Sequence, residues 1–364
     1  MNYNHLTHKR FLTIGIVFCM LVLNGCSIFQ TQKTKLNFKA ATKIELNLKD
    51  YNGSFFTMKI PEAWTIETTG NYEAFGFKLY DPEKPTRQIF YYGSMSPFTK
   101  NLDGRQAWQR YINEGGYLSS QLYVDVPYLD PATTEEFFYK FDDFALVANQ
   151  YGIAHEFPVL DDFEILQRVD YNTAMNSVAV DEGMLRALHT QDGVLCEGLY
   201  AASVVDAMTA YMYGTDAGYY TVYVIMGISA PADEFSQLET QLAESVSSFQ
   251  FSQDYIDQGV QLNEWETATA LQVGETLAAA ADSYNQAWSN RQASDDALSQ
   301  KRSDGMLGFD RLYDSETKKT YKSELGFFDE YDTKRTEYSN PNLQLVPDDV
   351  YTYYSKDIAG YISK

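Results

Sequence analysis

The run YYTVYVIMGIS, Tyr219 to Ser229, constrains the fold more than any other stretch of this chain. It is almost wholly apolar, β-branched or aromatic, and Pro231 closes it. That composition belongs to a central strand of a sheet. Asp233 follows as the cap of a helix predicted to run to about Ser248, with Phe235, Leu238, Leu242 and Val246 at helical spacing. A strand of this kind with a helix laid back on it is the frame into which the preceding elements must fit.

Those elements are mostly strands. In IELNLKDYNGSFFTMKI, a three-residue loop at Tyr51-Asn52-Gly53 pairs Leu48 with Phe56, Leu46 with Met58 and Ile44 with Ile60. That register collects the apolar residues on one side, with Gly53 in a left-handed position. GFKLYDP and RQIFYYGSMSPF read as two further strands around a loop at Pro82 to Pro85. A helix is predicted from about Gly104, stopped by Gly115-Gly116, and a second from Phe137 to Asn149. Leu160 to Tyr171, Met184 to Thr190 and Val194 to Ala201 read as strands.

The order of these elements, with Lys59-Ile60-Pro61-Glu62-Ala63-Trp64 and the closing Val246-Ser247-Ser248-Phe249, resembles the α/β/α sandwich of the PsbP-like superfamily. The resemblance implies an α+β domain over 43–253, an antiparallel sheet flanked by helices, and an extracytoplasmic binding or assembly role without catalysis. A long helix and a small β-rich region are predicted for 254–364. Asn263-Glu264-Trp265-Glu266 has capping-box spacing, and Val273, Leu277, Ala280, Tyr284 and Trp288 form a stripe that fades after Arg291. The polar half beyond it is expected in solvent or against the tail. Leu312 to Tyr321 resembles a hairpin of Gram-positive lipoproteins, with Lys318 where that pattern carries glycine and Asp314 placed to cap the loop.

The N-terminus has its own chemistry. Lys9 and Arg10 precede an apolar run of about 14 residues that ends at Gly25-Cys26. This is the layout of a secretory signal, and the run is short of the ~20 residues of a membrane span. Leu23-Asn24-Gly25-Cys26 resembles the lipobox of bacterial lipoproteins, with Asn24 a mild departure from its usual small or aliphatic residue. The resemblance implies a signal over 1–25, a diacylglyceryl group on Cys26 as the membrane partner, and a tether over 26–42. Loss of Lys9 and Arg10 takes the formal charge from −22 to −24, since 1–25 holds no Asp or Glu. A body so acidic excludes nucleic acid and anionic lipid as partners. Lys33, Lys35, Lys39 and Lys43 precede the first acidic residue, Glu45, and suit an anionic leaflet locally.

Few residues suggest catalysis. The mature chain keeps His155 and His189 and, besides Cys26, only Cys196, so no intrachain disulfide forms. There is no HExxH, paired CxxC, GxSxG, P-loop or GxGxxG after a strand, and neither metal nor cofactor is expected. The carboxylate pairs Asp142-Asp143, Asp161-Asp162 and Asp295-Asp296 arise easily among 50 acidic residues. Asp329-Glu330 with Asp332 is the corresponding weak calcium motif. His189 and Cys196 are the sharpest catalytic pair. A two-residue turn at Asp192-Gly193 sets them directly opposite. A three-residue loop sets Cys196 against Leu188, aligns Met184 with Tyr200 and Leu185 with Leu199, and is the preferred register.

Aromatic residues make up 15% of the chain, with 29 tyrosines, which points to contact surfaces. Trp64, Tyr211, Tyr213, Tyr351 and Tyr353 are the candidates, in a chain expected on the extracytoplasmic face of a Gram-positive membrane with a protein or glycan partner. The rival reading is an envelope-polymer hydrolase with a thiol or carboxylate site.

Overall fold

The computed structural model describes residues 33–41, 43–71, 74–152, 157–169, 174–255, 293–347, 353–354 and 358–364. The chain divides into two compact units. The larger is Ala41–Phe309 with Val346–Asp357, and the smaller is Met1–Ala40 with Asp310–Leu345 and Ile358–Lys364. Cys26, His155, Tyr351 and the stripe from Val273 to Trp288 lie outside the described residues.

In the larger unit β12 (Tyr219–Pro231) is the fourth of seven antiparallel strands. The others are β4 (Thr65–Thr69), β5 (Gly76–Asp81), β6 (Lys84–Thr99), β7 (Asp161–Val169), β8 (Ala179–Gln191) and β9 (Val194–Met208). Their order is β4-β5-β6-β12-β9-β8-β7. A bulge in β12, where Val224 takes φ 53°, breaks its register with β9 after Tyr223. The extra residue turns the strand over, so Val222 and Ile225 face one core while Val224 and Met226 face the other. Left-handed backbone at a β-branched residue costs about 1–3 kcal/mol, which burial on both faces outweighs.

Both faces of this sheet are covered. On one, α5 (Phe235–Ser247) packs with the small sheet of β2 (Leu48–Asn52), β3 (Phe56–Pro61) and β13 (Gln250–Phe251). Phe235, Leu238, Leu242 and Val246 leave water along one stripe of α5, each worth roughly 1.5–3 kcal/mol. On the other, α3 (Thr134–Tyr139) and α4 (Phe141–Gln150) bury Phe137, Phe138, Phe141 and Phe144. The domain is therefore mixed α+β, with antiparallel sheets flanked by helices.

Several local expectations give way. Leu48 stands opposite Pro61, not Phe56, and Tyr51 opposite Met58. The cause lies above the sheet: Ile44 and Leu46 are drawn to α5, where their N–H groups donate to Gln237 and Gln241 at 3.2 Å. Tyr51 packs against the same core cluster as Ile44 and Leu46. Gly53 consequently needs no left-handed backbone. Asp233 does not cap α5; Glu234 precedes it, with its carboxylate paired to Lys84 and Arg87. Trp64, expected at a contact surface, is buried in the same core cluster as Phe56 and Phe77. The helix α6 (Ala293–Met306) does not end in solvent: Ser303 and Asp304 are buried, and Leu307 packs on Leu166, Leu188 and Ala232.

The smaller unit is a five-stranded sheet ordered β1-β17-β15-β14-β16. Its strands are β1 (Asn37–Ala40), β14 (Phe309–Asp314), β15 (Thr320–Glu324), β16 (Leu343–Leu345) and β17 (Ile358–Ser363). The pair β15 and β17 is parallel. Leu36, Leu312, Tyr331 and Ile362 are in its core, so the segment expected as a tether to residue 42 is folded from Leu36 onward. Asp314 caps its loop as the sequence suggested, accepting the amides of Glu316 and Thr317. Lys318 supplies the left-handed residue at φ 60°. No described helix is long and apolar enough to cross a membrane.

Candidate contact site

The helix α1 (Leu102–Asn113) begins at Asn101, whose Oδ1 accepts the Gly104 amide at 2.8 Å. It ends where Gly115 takes φ 95°, a backbone that glycine adopts without strain. Tyr117 and a 3-10 turn, Leu118–Gln121, follow at once. A two-stranded hairpin, β10 (Tyr211–Met212) and β11 (Thr215–Asp216), brings distant tyrosines to the same place. Its two-residue turn is Tyr213-Gly214, at φ 50° and 87°.

Asparagine or glycine is the usual residue at the position Tyr213 holds, because a bulky side chain there is strained. Tyr213 is held in place by two contacts. Its hydroxyl donates to Glu114 Oε2 at 2.6 Å, and the Arg110 guanidinium lies 4.1 Å from its ring centroid. Arg110 Nε also donates to Glu114 Oε1 at 2.8 Å. The Tyr213 hydroxyl, and then Arg110, hold the Glu114 carboxyl below its ordinary range.

The hairpin base is pinned as well. Asp216 accepts the Ala210 and Gly218 amides and the Lys100 ammonium, all within 3.0 Å. Burial pushes its carboxyl up, but Lys100 and the two amides outweigh that and hold it low. Trp108 Nε1 donates to the Ala217 carbonyl at 2.8 Å. A Cβ at Gly104 would stand 2.9 Å from the Asp216 carbonyl oxygen, so only glycine lets helix and hairpin approach this closely.

The result is a cleft of about 500 Å³ lined by Tyr111, Glu114, Gly115, Gly116, Tyr117 and Tyr213. At and around it Tyr117 is 77% exposed, Leu118 80% and Tyr211 81%. Of the sequence-predicted contact residues, the structure places Tyr211 and Tyr213 in this hairpin. Tyr353 is half-buried and Tyr354 buried, and both lie far from it in sequence. Tyr111, Tyr117, Arg110 and Glu114 escaped the sequence reading. Their signal is an Arg-Glu pair four apart ahead of Gly-Gly-Tyr-Leu, in which a helix stop is followed directly by exposed apolar residues.

The catalytic candidates fare differently. Asp192 and Gly193 at φ 53° and 75° form a two-residue turn, so His189 stands opposite Cys196 and the preferred three-residue register is wrong. Consecutive left-handed residues at Asp-Gly favour that tighter turn. The pair is nonetheless not activated. Burial pushes the Cys196 thiol up to about 12 and the His189 imidazole down to about 4. Both are fully buried, His189 Nδ1 faces the Tyr200 hydroxyl at 2.9 Å, and Cys196 Sγ approaches the Val194 carbonyl. A thiolate–imidazolium pair is the form this environment disfavours.

Asp142 and Asp161 line one cleft of about 460 Å³. Burial pushes the Asp142 carboxyl up to about 6, against the Leu160 amide it accepts and helped by Asp161 and Asp143. A raised carboxyl means stability that is fully present below the ordinary value and is lost as pH rises through about 6. Asp142→Asn is therefore expected to stabilise the protein at pH 7.5 by about 1–2 kcal/mol after solvent screening, and not at about pH 3, below the ordinary carboxyl value. Urea midpoints of the two proteins across that range check this; a pH-independent difference refutes it. Of the calcium motif, Asp332 pairs with Arg335, and Glu330 with Lys334 and Lys364. Among the described residues no three His, Cys, Asp or Glu side chains are placed to hold a metal.

The chain matches no protein-family model and no curated protein. Among solved structures it is similar to the solution structure of cyanobacterial PsbP (CyanoP) from Synechocystis sp. PCC 6803. Identity is 11%, the match covers 59% of this chain and 98% of that chain, and the TM-score is 0.24.

Proposed function

We propose that this chain is a lipid-anchored, non-catalytic binding protein on the outer face of a bacterial membrane of Gram-positive type. Its scaffold is a PsbP-like sandwich and its contact surface is the tyrosine cleft. One observation carries the reading: Tyr213 is kept at a turn position that disfavours it, clamped by Arg110 and Glu114, beside exposed Tyr117 and Tyr211. Strain of this kind, over-determined by its neighbours, collects at binding sites. The neutral, buried state of His189 and Cys196 supports a role without thiol chemistry.

The test is photo-cross-linking of the full chain in its native membrane, with a benzophenone side chain in place of Tyr117, Tyr211 or the exposed control Val180. Adducts are expected from Tyr117 and Tyr211 and not from Val180. Equal labelling at all three overturns the contact surface. A carboxylate hydrolase is the second reading, favoured only by the raised Asp142 carboxyl in a cleft beside Asp161. Turnover of an envelope polymer that Asp142→Asn abolishes would establish it.

A further inference from the structure

We infer that the tyrosine cleft takes a neutral glycan, with pyranose rings laid on the faces of its exposed tyrosines. The inference rests on the contact-surface reading and names the ligand class. Its first support is charge. The one charged residue lining the cleft is Glu114, and both its oxygens have partners: Arg110 Nε donates to one and the Tyr213 hydroxyl to the other. No Lys or Arg lines the cleft to take a phosphate or carboxylate, the neighbouring Arg110 lies over the Tyr213 ring, and the formal charge of −22 repels an anionic polymer. Nor does Glu114 keep an unpaired oxygen for a basic peptide.

The remaining recognition chemistry is flat, apolar and hydroxyl-bearing. Tyr117 offers a ring 77% exposed, and its hydroxyl and that of Tyr111 bond to nothing among the described residues. A saccharide matches both properties, since its axial C–H groups lie on an aromatic face while its hydroxyls reach phenols and backbone. The floor admits close approach. A Cβ at Gly115 would meet nothing within 4 Å, so the backbone there is bare, whereas at Gly116 it would strike the Tyr111 ring at 2.3 Å. That contact fixes the Tyr111 ring against the floor. The volume of about 500 Å³ lies within the roughly 300–1,000 Å³ of small-ligand clefts and accommodates a short oligosaccharide. Tyr211, 81% exposed on the adjoining hairpin, extends the platform beyond the cleft.

The experiment is titration of the full chain, in a detergent without a sugar headgroup, with chitotetraose, cellotetraose and a proline-rich peptide, followed by calorimetry and saturation-transfer NMR. At least one neutral tetrasaccharide is expected to bind. Tyr117→Ala is expected to weaken it at least tenfold, Tyr211→Ala severalfold, and Tyr117→Phe less than threefold, because the ring face carries the contact. Tyr117 is so exposed that its replacement leaves the fold intact, which circular dichroism checks. Absence of binding by both tetrasaccharides overturns the inference, and so does binding that Tyr117→Ala and Tyr211→Ala leave unchanged. Tyr117-dependent binding of the peptide alone overturns the glycan and keeps the contact surface. Failure of the cross-linking at Tyr117 and Tyr211 removes both.

Discussion

Arg186→Met is expected to cost about 3–5 kcal/mol of unfolding free energy, because it leaves two carboxylates buried without their cation. Arg186 is 1% exposed and sits on β8 between Glu197 of β9 and Glu239 of α5. Its Nε donates to Glu197 Oε1 at 2.5 Å and its Nη1 to Glu239 Oε1 at 3.0 Å. The guanidinium also lies 5.5 Å from the Phe235 ring centroid. Ser303 of α6 donates to the second Glu197 oxygen at 2.9 Å, so the same carboxylate fastens the later helix to the sheet. Urea unfolding followed by tryptophan fluorescence measures the loss. If the single variant does not fold, adding Glu197→Gln and Glu239→Gln keeps the test alive. Neutralising both carboxylates is expected to restore at least half the loss, since the unpaired charge and not the missing volume is the main cost. A loss below about 1 kcal/mol in Arg186→Met would show that the triad does not hold these layers together.

That triad also marks how far the sequence could be read. Runs that settle their own environment were legible: Tyr219 to Ser229 is apolar throughout and became the central strand, and the Phe235-Leu238-Leu242-Val246 stripe became the buried face of α5. Arg186 and Glu197 carry no such signal. Eleven positions apart, they meet only because Asp192-Gly193 closes in two residues and puts Arg186 diagonally across from Glu197. Register decides such pairs, and the first hairpin shows why register was missed. Ile44 and Leu46 looked like one strand face, yet Gln237 and Gln241 of α5 lift them out of the ladder. No pattern within the hairpin encodes a helix nearly two hundred residues later.

The candidate site was half legible for the same reason. Tyr211 and Tyr213 stood out by composition, but Glu114, which fixes Tyr213, caps the end of a helix 99 positions away. Trp64 was misplaced because an aromatic after Ile60-Pro61 reads equally well as contact or core; the depth of the layer between β3 and α5 decided for the core.

Replacing Cys26 with serine is expected to abolish acylation completely, the largest effect of any single change in this chain. Two acyl chains at ~0.8 kcal/mol per buried CH₂ make an anchor that outlasts washing, whereas one chain holds marginally. The alternatives are weak by comparison. Lys33, Lys35 and Lys39 gain ~1 kcal/mol each near an anionic leaflet, and salt removes that gain. The acidic body is repelled from the same surface. The tether is also short. Thr34 already bridges Tyr338 and Leu36 is buried, so the chain between Cys26 and the folded residues reaches about 25–30 Å at most. The full chain is expected to take up radiolabelled palmitate, to yield an N-terminal peptide beginning at acylated Cys26, and to stay with membranes through a wash in ~1 M salt. Cys26→Ser is expected to take up no label. A wild-type chain that incorporates none, or that salt strips from the membrane, would leave an ordinary secreted protein cut at another bond, and label retained in Cys26→Ser would place the lipid elsewhere.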